Sequence, residues 1–201
     1  MLLLLLVAGC LSFACKKSQE PIPDYPPGFV VVRFDEANIR TVQIGNQTWM
    51  AENLKVTVAP DGRMLNSSSI NGDSSLDVQY GRVYSFHDAV AACPPGWHLP
   101  SIEEWQELFN TLGGIEIAGG HMKTVELWDP PNVGATNSSG FSAVPAGPRD
   151  GFGWACHFWS STEDGNNAYI PSLMNSRADA YILYDQPKST TISVRYIRDV
   201  Q

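Results

Sequence analysis

Basic residues are scarce in this chain: 13 Lys and Arg stand against 21 Asp and Glu, a formal net charge of −8. Nucleic-acid binding calls for a basic face, so no nucleic-acid partner is expected. The same acidity argues against adhesion to an anionic lipid surface through charge. Histidine and cysteine are also few, with four of each in 201 residues. His87, His98, His121 and His157 show no metal-ligand spacing, and there is no His-Glu-x-x-His or paired Cys-x-x-Cys. A Gly-x-Ser-x-Gly elbow and a phosphate-binding glycine loop are both missing. Carboxylates are plentiful, but nothing in their context fixes two of them at a glycosidase separation. No metal, no cofactor and no catalytic residue is expected from these patterns.

Long apolar runs are confined to one place. Residues 1–14 are almost wholly apolar, too short to span a bilayer and of the length of a signal-peptide hydrophobic region. Two bacterial lipoprotein cleavage sites follow from it. Cys10, after Val7-Ala8-Gly9, has the better run of small residues but a short apolar segment before it. Cys15, after Ser12-Phe13-Ala14, has the longer segment and leads straight into Lys16-Lys17-Ser18. Cys15 is the preferred lipidation site and Cys10 the alternative. Residues 1–15 are thus read as a leader ending at the lipidated cysteine. Residues 16–28, polar and Pro-rich, read as a semi-extended tether. Residues 29–201 form one domain with ample core. Acyl chains at the cysteine would anchor it to a membrane of the cell envelope, at the outer membrane or cell surface. Export also changes how Cys93 and Cys156 read: an oxidising compartment allows a disulfide between them, and two free buried thiols are the alternative.

Local signals mark the elements. Gly45-Asn46 between two strand-like runs, residues 40–44 and 47–50, predicts a hairpin. Residues 59–77, rich in Ser, Asn, Asp and Gly, read as a surface loop. Ser85 precedes a short helix up to Ala92. Ser101 with Glu104 three residues on is a capping box, and Ile102, Trp105, Leu108, Phe109 and Leu112 then recur at helical spacing until Gly113-Gly114. From Gly113 onward the chain reads as loops with short strands at 141–144, 158–161, 180–184 and 190–197. A first strand is expected at residues 30–34. Helices gathered mid-chain with strands around them predict an α+β fold.

Six tryptophans invite a binding reading. Trp49, Trp97, Trp105 and Trp159 sit beside turns or on an apolar helix face and are assigned to packing. Trp154 lies in a glycine-rich loop, where exposed functional groups concentrate. Arg149, Phe152 and Trp154, with Trp128 upstream, are the candidate ligand-binding residues.

Several blocks carry a resemblance. They include Gly45-Asn46-Gln47-Thr48-Trp49-Met50-Ala51-Glu52-Asn53-Leu54, Tyr80-Gly81-Arg82-Val83-Tyr84, Cys93-Pro94-Pro95-Gly96-Trp97-His98-Leu99-Pro100-Ser101 and Ala118-Gly119-Gly120. Further on come Gly140-Phe141-Ser142-Ala143, Phe158-Trp159-Ser160-Ser161-Thr162-Glu163 and Ser193-Val194-Arg195-Tyr196-Ile197-Arg198-Asp199. In this order they resemble the Fibrobacter succinogenes major paralogous domain, a family of exported bacterial proteins. The resemblance implies a C-type-lectin-like domain with two helices, a curled antiparallel sheet and a long loop region. It implies no settled activity. Many lectin-like domains use calcium, yet the paired carboxylate, proline and amide signatures of calcium-dependent sugar sites are absent here. The family usually ends in Val-Arg-Cys, where this chain has Tyr196, so Cys93 lacks that partner and Cys156 is its candidate replacement. The expected function is non-catalytic binding of carbohydrate or a surface protein. An enzyme related to formylglycine-generating oxidases, and a purely structural envelope component, are the alternatives.

Overall fold

The computed structural model describes Phe34, residues 39–147 and residues 151–199. The leader with Cys10 and Cys15, the tether, the strand expected at 30–34 apart from Phe34, and Arg149 lie outside the described residues.

Strand β1 (Thr41–Ile44) turns at Gly45 into β2 (Gln47–Met50), with Thr41 opposite Met50 and Ile44 opposite Gln47. Gly45 takes φ +59, which a residue with a side chain adopts only under strain, so the expected hairpin forms where glycine permits it. The chain's last strand, β10 (Ile197–Arg198), pairs with β2 on one edge. Its other edge pairs with β5 (Trp97–His98). The first sheet therefore runs β1-β2-β10-β5 and brings the two ends of the domain side by side.

The expected surface loop is partly ordered. It carries β3 (Ser67–Ser69) and two short 3-10 turns, and β3 pairs with β4 (Arg82–Tyr84) as a ribbon. Between them lies α1 (Asp77–Tyr80), a single turn. Helix α2 (Phe86–Ala91) starts at Ser85, whose hydroxyl accepts the Asp88 amide at 3.2 Å.

Helix α3 (Ile102–Thr111) has the full capping box. Ser101 Oγ accepts from the Glu104 amide at 3.3 Å, and Glu104 Oε2 accepts from the Ser101 amide at 2.8 Å. Its face of Ile102, Trp105, Leu108 and Phe109 is buried. Helix α4 (Ile115–Met122) occupies a stretch that reads as loop, so four helices stand among the described residues where two are implied. None of them is long and apolar enough to cross a membrane.

The second sheet is centred on β8 (Asn167–Met174). One edge carries β9 (Ala180–Pro187); the other carries β6 (Ala155–His157) and β7 (Glu163–Asp164) at opposite ends. All pairings in the sheets are antiparallel, and the domain is α+β. Helix α3 packs on β8 and α4 on β9.

Two large apolar clusters flank this second sheet. Trp49, Trp105, Phe109, Phe141, Phe158 and Leu173 meet in one. Trp105 lies 4.6 Å from Trp49 and 5.4 Å from Phe158 between ring centroids. Met50, Leu54, Tyr84, Trp159, Val194 and Tyr196 meet in the other. Trp49, Trp105 and Trp159 are thus packing residues, and Trp97 is half-buried against Phe34.

Candidate functional site

The loop region after α4 is tied down by one buried cation. Lys123, which directly follows α4, is fully buried and donates to the carbonyls of Val133 (3.0 Å), Met174 (2.8 Å) and Arg177 (2.7 Å). Burial pulls its pKa down to about 8. Neighbouring bonds extend the stitch. The Val133 amide donates to Asn175 O at 2.7 Å, the Asn175 amide to Trp154 O at 2.8 Å, and the Asp129 amide to Gly153 O at 2.7 Å. Asn175 Nδ2 closes the set on the Asp129 and Pro130 carbonyls.

This frame presents Trp154, 39% exposed, beside the exposed prolines Pro130 and Pro131 and the exposed Val133. The Asp129 carboxylate lies against Gly153, where any Cβ would collide with it. Trp154 thus directly follows the residue against which the Asp129 carboxylate lies, on stitched backbone. Apolar ring surface with a few fixed polar groups is what oriented small-ligand binding requires.

The other candidates fall elsewhere. Trp128 is buried, donates Nε1–H to Ala143 O at 3.0 Å and lies under the Lys123 ammonium, so it is a core residue and not a ligand platform. Phe152 packs edge-on against Tyr80 at 5.0 Å within a third small cluster, which assigns it to packing as well. Arg149 lies outside the described residues. Of the four, Trp154 alone is placed at the surface.

The thiols do not pair. Cys93 and Cys156 are both free. Cys156 is delivered by β6 into the Trp105 cluster, while Cys93 packs at the edge of the Tyr196 cluster and donates to Trp97 O at 3.0 Å. The candidate disulfide is corrected accordingly. Tyr196 fills the core instead, its hydroxyl donating to Ala89 O at 2.6 Å. Burial pushes both thiols up to about 12, so neither is a ready nucleophile at neutral pH. Near Cys156, His157 Nδ1 lies 2.7 Å from Ser172 Oγ across β6 and β8. Burial drops that histidine to about 4, and Ser172 is fully buried, so the pair joins strands and meets no substrate. Among the described residues, no three His, Cys, Asp or Glu side chains converge as a metal-ligand set.

His98 has a structural role. Its Nε2 meets Glu104 Oε1 at 2.7 Å and its Nδ1 meets Asp199 Oδ1 at 2.6 Å, joining β5, α3 and the chain end. Burial lowers its pKa, but hydrogen bonds to, and the charges of, Glu104 and Asp199 outweigh that, and the net shift is upward. The clamp therefore contributes fully below the unfolded value of about 6.5 and is lost as pH rises through the higher folded value. Thermal melts check this. His98→Gln is expected to be less stable than wild type at pH 5.5, with the gap closing toward pH 9; a gap that widens with pH would refute it.

Sequence reasoning missed Arg195. It is fully buried, and its guanidinium donates to Asn53 Oδ1 (2.7 Å), Met50 O (2.9 Å), Phe141 O (2.7 Å) and Ser142 O (3.0 Å). Phe141 lies under it at 4.7 Å. Desolvation lowers its pKa to about 9. The available signal was a lone basic residue among Ile192, Val194 and Tyr196, a position where burial demands several acceptors.

Antiparallel sheets, helices packed on them and a stitched, tryptophan-bearing loop region define the class: an α+β domain with an apolar core. Within that class, the profile of the Fibrobacter succinogenes major domain matches residues 42–198, and the chain belongs to this family. Neither the curated proteins nor the solved structures compared with it give a match.

Proposed function

We propose that this protein is an exported lipoprotein, anchored through Cys15 with Cys10 as the alternative, whose C-type-lectin-like domain binds carbohydrate without catalysis. One observation carries the binding reading: Trp154 stands exposed on backbone fixed by Lys123 and Asn175, with the Asp129 carboxylate against the preceding Gly153. The indole offers a flat apolar face to a sugar ring, and the carboxylate accepts hydroxyl protons. The lectin-like reading rests on the family resemblance and on fold-level analogy.

A glycan array probed with the full chain in detergent tests it. Trp154→Ala is expected to weaken the positive glycans at least tenfold, about 1.4 kcal/mol, with an unchanged melting temperature. Equal signal for both proteins would move binding away from Trp154, and a blank array for both would favour a structural envelope role. Labelling cells with an alkyne fatty acid tests the anchor. Cys15→Ser is expected to abolish incorporation; label kept there and lost in Cys10→Ser assigns the anchor to Cys10.

A further inference from the structure

A second concave site lies away from Trp154. A cleft of about 260 Å³ opens over Arg195, with Arg40, Glu52, Asn53, Thr124 and Ser142 among its walls. Three facts set its chemistry. First, its floor is a buried cation that, among the described residues, hydrogen-bonds no acid, Glu52 acting on it only through space. A guanidinium has five N–H donors, and Arg195 uses four of them on three carbonyls and one amide oxygen, none on a carboxylate. Burying such a charge with no directly bonded counter-ion is costly, and an anion in the cleft offsets that cost. Second, the carboxylate in the wall is already engaged. Glu52 accepts the Arg40 amide at 2.7 Å and pairs with Lys55 at 3.5 Å. Arg40, exposed at the rim, adds a second guanidinium, so the cleft itself is cationic within an acidic protein. Third, two walls are held in strained backbone. Among the described residues, five non-glycine residues have positive φ; three are asparagines, which tolerate it, and the other two, Leu127 (φ 79) and Ser142 (φ 57), both line this cleft. Ser142 is held there by Asn137, which accepts its amide at 2.9 Å and donates to its hydroxyl at 3.0 Å.

The geometry points to a binding site for a small hydroxy-carboxylate, the class that includes the uronic acids. The carboxylate faces Arg195 and Arg40, and the ligand's hydroxyls meet the side chains of Gln79 and Thr124 and the Glu52 carboxylate. Among the described residues no aromatic ring lines the cleft, so recognition is by charge and hydrogen bonds and not by stacking.

Calorimetry on the full chain in detergent, with galacturonate, galactose and an N-acetyl dipeptide as probes, tests this. Galacturonate is expected to bind at least tenfold tighter than galactose or the dipeptide, and to weaken as salt rises. Arg40→Gln, whose backbone bonds remain, is expected to weaken it about tenfold. Gln79→Trp, at an exposed wall position, is expected to block the cleft, while Trp154→Ala leaves galacturonate binding unchanged. Equal binding of galactose, or loss in Trp154→Ala with retention in Gln79→Trp, overturns the site. Tighter binding of the dipeptide overturns the sugar-acid assignment, and no binding of any probe overturns both.

Discussion

Arg195→Met is expected to cost about 3–5 kcal/mol of folding stability, enough to lower the melting temperature by roughly 10 °C. The figure follows from what is left behind. Removing the guanidinium strands the carbonyls of Met50, Phe141 and Ser142 and the Asn53 side chain. Each orphaned buried acceptor costs about 1–3 kcal/mol. Relief of the desolvated charge offsets part of that sum, because burial already holds the Arg195 pKa down near about 9. Methionine also keeps much of the contact with Phe141 and Phe158. Loss of hydrogen bonds outweighs the relief because the four acceptors come from two distant segments, residues 50–53 and 141–142, that the guanidinium joins. Arg195→Lys is the informative control: the charge stays, but one ammonium replaces a planar fork, so a loss of similar size is expected. Chemical denaturation measures both, and a loss below about 1 kcal/mol in either would refute the account.

Lys123→Met is expected to act on stability and on binding together. Its ammonium satisfies three carbonyls, at Val133 in the loop after α4, at Met174 where β8 ends and at Arg177 in the turn that follows. Without it those carbonyls stay buried and unpaired, for a cost of about 2–4 kcal/mol. The same segments carry the Val133–Asn175 and Asn175–Trp154 bonds. Hydrogen exchange is therefore expected to speed up selectively at the Val133 and Asn175 amides, and glycan binding at Trp154 to fall with it. The pH dependence has a definite sign. The folded pKa, about 8, lies below the usual 10.5, so the fold disfavours the charged amine. That penalty is complete below pH 8 and fades toward 10.5, so wild type gains on Lys123→Met across that window. Uniform exchange over the whole domain would refute the local role.

Local rules made half of this architecture legible. The Gly45 hairpin and the caps at Ser85 and Ser101 depend on residues within three or four positions of one another, and the structure has them in register. A tight turn also forms at Asn137–Gly140, with the Gly140 amide on Asn137 O at 3.0 Å. Helix α4 was hidden by Gly119-Gly120. Those glycines are there because Asp179 and Gly134 carbonyls pass where a Cβ would stand. Residues 190–197 read as a half-buried strand, yet positions 192 to 197 are all buried, with single bridges at Ile192 and Ser193 before β10. Alternation fails there because both sides of the segment face protein. The cleft was illegible for a further reason: its walls come from residues near 40, 52, 79, 124, 142 and 195, and only the folded chain assembles them.

The pairing of Trp49 with Ile197 leaves the first sheet unfinished until residue 197 is in place. Closing so long a loop is slow, and little is gained before it closes. A chain of this kind stays unlocked until β10 docks between β2 and β5, so its first hairpin waits on a partner about 150 residues away.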